Sequence, residues 1–264
     1  MNILDKIVAT KKLEVEEAKR RVSEEQLRDS NSFFRTCFSL KDSLLNPSGT
    51  GIIAEFKRAS PSKGRFNASA DVLEVTTAYT RFGASGLSVL TDEKYFCGSS
   101  EDLKKARTNE IPILRKDFII DSYQILEAKS IGADVILLIA ACLSPLQVQE
   151  FTSIARSIGM EVLLELHSEE ELGHIGTENN LIGINNRDLK TFRVDVQRSI
   201  ELSRQIPDEK LKIAESGITD VDVIRLLKKN GFHGFLIGEN FMKHANPGES
   251  FNRFAEELIN NQLL

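Results

Sequence analysis

Gly51-Ile52-Ile53-Ala54-Glu55-Phe56-Lys57-Arg58-Ala59-Ser60-Pro61-Ser62-Lys63-Gly64 is the stretch whose reading decides the fold. A short apolar run ends in Glu55 and Lys57, two residues apart. It predicts a buried strand that delivers a carboxylate and an ammonium to the same side of its C-terminal end, followed by a loop of Ser, Pro and Gly. Burying two opposite charges costs several kcal/mol per ion unless they pair with each other or meet a charged ligand. One reading is a structural ion pair at a strand terminus. The other is a pair kept for chemistry, and it gains weight because the pattern recurs down the chain.

From Gly51 onward, short apolar runs alternate with amphipathic helical stretches, the pattern of repeated βα units. Eight runs stand out: Ile52–Phe56, Gly86–Leu90, Pro112–Leu114, Val135–Ile139, Val162–Leu166, Leu181–Ile184, Leu211–Ala214 and Gly234–Ile237. Between them, Val72–Phe82, Ser122–Ile131, Pro145–Ile158 and Val221–Asn230 carry apolar residues at helical spacing, often with Gly after them. Alternation sustained eight times favours a closed (β/α)₈ TIM barrel of the α/β class over an open doubly wound sheet, which commonly has about five or six strands. No linker divides residues 1–264, so one barrel domain is expected. Residues 1–50 read as a helical extension. Its first helix is predicted over 3–27 and its second around Ser32–Leu45, stopped by Asn46-Pro47-Ser48-Gly49, and both are expected to pack over one end of the barrel.

The 264 residues are 41% hydrophobic, enough for a substantial core, and carry a net charge of −5. That balance argues against general affinity for nucleic acid or an anionic membrane, so an anionic partner has to be caught by a local pocket. No apolar run reaches the length of a membrane span, and the start lacks a secretory layout; the expected home is the cytoplasm and the expected state a monomer. Cys37, Cys97 and Cys142 are scattered and lack metal-ligand spacing. They read as packing thiols. His167, His174, His233 and His244 form no HExxH pattern and read as surface or satisfied residues, so no metal site is expected.

In a barrel of this kind chemistry sits at the C-terminal ends of the strands. Here those ends are polar: Glu55 and Lys57, Arg115-Lys116-Asp117, Glu165, Asn185-Asn186-Arg187, Glu215-Ser216-Gly217 and Gly238-Glu239. Several acids and bases converging on one barrel mouth are hard to explain by packing. Ser216-Gly217 and Gly238 follow the seventh and eighth runs, where barrels often bind phosphate through backbone N–H groups; the plainer reading of both glycines is a tight βα turn.

With these residues laid out, the chain resembles indole-3-glycerol phosphate synthase of the tryptophan pathway, from the N-terminal helices to the eighth run. The resemblance rests on Ala54–Gly64, Ser88-Val89-Leu90-Thr91-Asp92, Leu114-Arg115-Lys116-Asp117-Phe118, Gly183-Ile184-Asn185-Asn186-Arg187-Asp188-Leu189 and Glu215-Ser216-Gly217-Ile218. It implies a (β/α)₈ barrel that converts 1-(2-carboxyphenylamino)-1-deoxyribulose 5-phosphate to indole-3-glycerol phosphate, carbon dioxide and water without metal or organic cofactor. By motif, Lys116 is similar to the general acid of ring closure and Glu165 to its partner in the later dehydration. Lys57 is similar to the lysine that meets the substrate's anionic groups and shares acid duty, and Glu55 to the carboxylate that orients the lysines. Asn185 and Arg187 resemble the polar pair that positions substrate, with Ser216, and Glu215 beside it, near its carboxylate. Ser60, Gly217, Gly238 and Glu239, the last through its backbone, are expected to hold phosphate. Phe96, Phe118 and Leu137 are expected to line an apolar slot for the aromatic ring, although ordinary core is an equal reading for Leu137.

The resemblance also implies a lid over Arg58–Asn67. Phe56 and Asn240-Phe241 depart from the family's usual residues, and the second departure touches the phosphate rim. Two rivals remain. A phosphoribosyl anthranilate isomerase-like enzyme would be expected to use a Cys and Asp pair, and no Cys ends the first run. A binding barrel without turnover would have kept the pocket alone.

Overall fold

The computed structural model describes residues 3–61, 63–188 and 193–260. Ser62 and Leu189, which belong to two of the quoted stretches, lie outside the described residues. Eight parallel strands close into a barrel: β1 Ile52–Phe56, β2 Gly86–Leu90, β3 Ile113–Lys116, β4 Val135–Ile139, β5 Glu161–Leu166, β6 Leu181–Asn185, β7 Leu211–Glu215 and β8 Phe232–Ile237. Each strand pairs with the next, and β8 returns to β1 with Ile52 opposite Phe235 and Ala54 opposite Ile237. The runs read from the sequence are these strands to within two residues at either end. Helices such as Val72–Arg81, Ser122–Ser130, Pro145–Ser157 and Val221–Lys229 cross between them, each opened by a side-chain cap from Asp71, Asp121, Ser144 or Asp220.

The period of two along a strand sorts every run into two sets. Ile53, Leu114, Leu137, Leu163, Ile213 and Leu236 form a cluster inside the barrel, while Ile52, Ala54, Phe56, Leu87 and Val89 belong to the larger cluster between strands and helices. Two residues beyond the inner set lie Glu55, Lys116, Glu165, Glu215 and Gly238. The apolar layer therefore forms the floor on which the polar strand ends stand.

The N-terminal segment departs from the expected pair of helices over one end. The first helix, α1 (Ile3–Arg21), stops short of the predicted 27. A capping box of Ser23 and Gln26 starts a separate helix, Glu24–Arg28, and offers the backbone N–H groups a better partner than continuation would. The second stretch is also broken: a 3₁₀ turn over Asn31–Phe34 gives way to extended chain before a short helix, Leu40–Leu45. Side chains of the barrel make that break. Asp134 accepts from the Phe38 N–H at 2.8 Å, and Glu161 accepts from the N–H groups of Leu40 and Lys41 at 2.7 and 3.1 Å. Leu40 and Leu44 then join the inner cluster from below, at the start of the strands; a Cβ added to Gly86 would stand 2.9 Å from Leu40. α1 goes to the opposite end, where Ile3, Leu4 and Ile7 line the mouth.

Lys11 of α1 is only 5% exposed and reaches Asp92 after β2 at 3.0 Å and Asp117 after β3 at 2.9 Å. Burial would raise the Asp117 pKa, but Lys11, Arg115 and the Thr91 hydroxyl outweigh it and bring it down to about 2. A carboxylate depressed in this way adds stability that is present above its unfolded value near ~3.9 and lost as the pH falls through about 2. Lys11→Met is expected to leave two buried carboxylates short of their cation and to cost about 3 kcal/mol, read as a lower urea midpoint at pH 7.

Candidate active site

At the C-terminal mouth the inward strand ends converge on one cavity of about 560 Å³. Lys116 Nζ, from β3, lies 2.7 Å from Glu165 Oε2 on β5 and 2.7 Å from Glu215 Oε2 on β7. Glu165 Oε1 accepts from Asn185 Nδ2 at 3.1 Å and lies 3.0 Å from His167 Nε2. On β1, Lys57 Nζ donates to Glu55 Oε1 at 2.6 Å, and Ser88 Oγ of β2 reaches Glu55 Oε2 at 3.3 Å. Lys57 is thus held by one carboxylate of the mouth and Lys116 by two.

Glycine makes room for those carboxylates. A Cβ on Gly183 would come within 2.3 Å of Glu215 Oε1, and one on Gly238 within 2.6 Å of Glu55 Oε1. Any side chain at either position would push a site carboxylate out of place. Gly238 therefore has a packing reason in addition to its place at the rim.

Burial alone would lower the Lys116 pKa, but Glu165, Glu215 and Glu55 more than offset it, and the group is held as an ammonium above its ordinary value. The two carboxylates beside it part company. Burial pushes both up; Lys116 and His167 reverse this for Glu165, which is held well below the usual range. Glu215 is pushed up to about 8 by burial and by the neighbouring Glu165 charge, against the pull of Lys116. The directions differ, Glu165 toward the anion and Glu215 toward the neutral acid, an asymmetry suited to placing a base and a proton donor in one pocket.

Directly after Glu215 the chain turns through Ser216 and Gly217, both at φ +67°. Left-handed backbone is costly for serine, and Asn186 Nδ2 holds the turn by donating to the Ser216 carbonyl at 2.7 Å. A Cβ on Gly217 would stand 2.2 Å from Val194 Cγ1. Gly238 precedes the short helix Glu239–Met242, and Lys63, Arg187 and Lys243 line the same side of the cavity. The far wall is apolar. Phe96 and Phe118 lie with ring centroids 6.1 Å apart, with Leu137 below them and Ile3 and Ile7 of α1 alongside.

Comparison with known proteins shows the family. The family model for indole-3-glycerol phosphate synthase matches residues 4–254. A protein of that name from Bacteroides thetaiotaomicron is 47% identical over 258 residues, covering 97% of this chain and 99% of the relative. The chain belongs to the indole-3-glycerol phosphate synthase family. Another member, from Polynucleobacter asymbioticus, is 41% identical over 95% of this chain and 98% of its own length. Among solved structures, a mutant tryptophan synthase alpha-subunit from Pyrococcus furiosus superposes with a TM-score of 0.61 at 17% identity, covering 80% of this chain and 98% of that one; this likeness is one of fold.

Every residue that the sequence nominates for an indole-3-glycerol phosphate synthase site lines the one cavity. These are Glu55, Lys57, Lys116, Glu165, Asn185 and Ser216, together with Ser60, Phe96, Phe118, Leu137, Arg187, Glu215, Gly217, Gly238 and Glu239. Two placements refine the expectation. Glu55 makes its ion pair with Lys57, while Lys116 is paired with Glu165 and Glu215. The expected lid is fixed at both ends: Arg58 pairs with Asp102 at 2.6 Å and Asn67 Nδ2 donates to the Met242 carbonyl at 3.0 Å, with a two-residue ribbon, Ala59–Ser60 against Gly64–Arg65, between them. Asn240 lines the rim and donates to the Thr219 carbonyl at 2.9 Å, while Phe241 is buried in the core. Sequence reasoning missed His167, Ser88, Gly183, Lys243 and the α1 residues. Ser88, on the inward set of β2, is the one that strand periodicity alone would have found.

Proposed function

We propose that this chain catalyses the indole-3-glycerol phosphate synthase reaction, closing the ring of 1-(2-carboxyphenylamino)-1-deoxyribulose 5-phosphate with loss of carbon dioxide and water, and that Lys116 is its general acid. The observation that carries the assignment is the Lys116 ammonium clamped between Glu165 and Glu215 in one cavity with Phe96, Phe118 and the turns at Gly217 and Gly238. As the ring carbon bearing the carboxylate bonds to the ketone carbon, the carbonyl electrons move onto oxygen. That oxygen takes a proton from Lys116 Nζ. The developing alkoxide is far more basic than an amine, so the transfer runs downhill even from a lysine of raised pKa.

The carboxylate then leaves as carbon dioxide and its bonding electrons restore the aromatic ring. In the dehydration, Glu165 removes a proton from the carbon next to nitrogen while the new hydroxyl departs as water with a proton from Lys57, which Glu55 holds in place. Glu215, kept neutral, adds no second negative charge beside the substrate carboxylate. Asn185, Arg187 and Ser216 position the substrate, Phe96, Phe118 and Leu137 hold its ring, and the phosphate sits at Ser60, Gly217 and the Gly238–Glu239 backbone. We place the enzyme in the cytoplasm as a monomer; among the described residues no helix is long and apolar enough to cross a membrane.

The test is indole fluorescence on mixing the pure protein with the carboxyphenylamino substrate. Saturable product formation supports the assignment, and binding without turnover favours a ligand-holding barrel instead. Gly217→Ala, which forces a Cβ against Val194 at a left-handed position, is expected to raise KM about tenfold, equivalent to ~1.4 kcal/mol, with a smaller effect on kcat.

A further inference from the structure

We infer that His167 is a positioning residue that decides which of the two carboxylates at Lys116 carries the negative charge, holding Glu165 as the anion and leaving the proton on Glu215. The inference rests on the reading of Glu165 as the base of the dehydration. Lys116 cannot make that choice, because its ammonium stands 2.7 Å from an oxygen of each. The asymmetry lies at the far oxygens. Glu165 Oε1 meets two nitrogens, Asn185 Nδ2 at 3.1 Å and His167 Nε2 at 3.0 Å. Glu215 Oε1 is buried and has no hydrogen-bond partner among the described residues. A buried carboxylate oxygen with nothing to receive from is costly as part of an anion and is the natural seat for a proton.

His167 is built for this contact and for little else. It follows β5 and is 8% exposed; neither ring nitrogen makes a hydrogen bond among the described residues, and Nε2 meets Glu165 Oε1 as an ion-pair contact. Its backbone N–H donates to Glu171 Oε2 at 2.6 Å, which fixes the residue as the chain turns out of the strand. The titratable groups facing the ring are Glu165 on its own strand, Glu171 on the following turn, 3.8 Å from Nδ1, and Glu215 from β7, with Lys116 of β3 beyond Glu165. Burial works against a charged ring, but Glu165 and Glu171 raise the imidazole pKa against it, so an ionised Glu165 and a protonated ring favour each other. A ring that only filled space would leave the ionisation of Glu165 alone.

The experiment is the pH dependence of kcat and KM for the full-length enzyme and for His167→Leu and His167→Gln, with urea unfolding as the folding control. The acid limb of kcat, where Glu165 takes a proton, is expected to move up by about one pH unit or more in His167→Leu. At pH 7 kcat is expected to fall about tenfold with KM within about threefold of wild type. His167→Gln keeps a donor without the charge and is expected to move the limb part of the way. Limbs that stay at the wild-type pH in folded variants overturn the inference, and if His167→Leu does not fold, His167→Gln alone decides by the same criterion. Glu165→Gln separates the two claims: full turnover in that variant sinks the base assignment, whereas a dead Glu165→Gln with unmoved His167 profiles sinks only the role of His167.

Discussion

Lys116→Ala is expected to lower kcat for ring closure by about 10³-fold or more, at the upper end of what a positioned general acid supplies together with the charge that stabilises the alkoxide. Substrate still docks, because the aromatic slot and the phosphate rim are built from other residues, so equilibrium binding is expected to stay within about tenfold of wild type. The variant also tests the electrostatics. Without the ammonium, Glu165 and Glu215 face each other in a buried space, and their pKa values rise together above those of the unfolded chain. Carboxyl groups raised on folding cost stability as they ionise. Lys116→Ala is therefore expected to be close to wild type in urea unfolding on the acid side of neutrality and to weaken as the pH climbs, while the wild type, with its cation in place, weakens less over the same range. Normal turnover by Lys116→Ala would remove the acid from the scheme.

Glu165→Gln is the second large effect, with kcat expected to fall by about 10²- to 10⁴-fold and KM little changed. Glutamine preserves the shape, and its amide still meets Asn185 and His167, so the loss reports the missing base and not a collapsed pocket. Removing the Glu165 charge also relieves the repulsion that keeps Glu215 protonated. Glu215 then ionises more readily and Lys116 retains one carboxylate partner, so the ammonium is expected to survive the substitution. The reading that would fail this test is one in which Lys116 or Glu215 performs the dehydration alone, for which kcat would remain near wild type.

The barrel and its mouth were legible because two periodicities coincide in the sequence. The alternation of apolar runs with helical stretches marks the eight strands, and the step of two along each strand carries the eye from Ile53 to Glu55, from Leu114 to Lys116, from Leu163 to Glu165 and from Ile213 to Glu215. Nothing comparable announces the N-terminal segment. Its helices are set by partners far along the chain: Glu161 captures the N–H groups that open Leu40–Leu45, and Asp92 with Asp117 draws Lys11 out of water. Helical spacing sees local apolar residues and is blind to a carboxylate about 120 positions away. His167 was passed over for a related reason. It stands outside any metal-ligand spacing, and its meaning comes only from Glu165 two residues before it and Glu215 across the barrel. Gly183 likewise reads as one more small residue in a strand until Glu215 is seen to occupy the space its side chain would take.

The central claim is tested most directly by a crystal structure of the enzyme bound to a non-reacting substrate analogue in which the ketone has been reduced to an alcohol. The account predicts that the alcohol oxygen lies within about 3 Å of Lys116 Nζ, with the aromatic ring between Phe96 and Phe118 and the phosphate at Gly217 and Gly238–Glu239. An analogue bound in the same cavity with that oxygen turned away from Lys116, toward Lys57 or solvent, would contradict it.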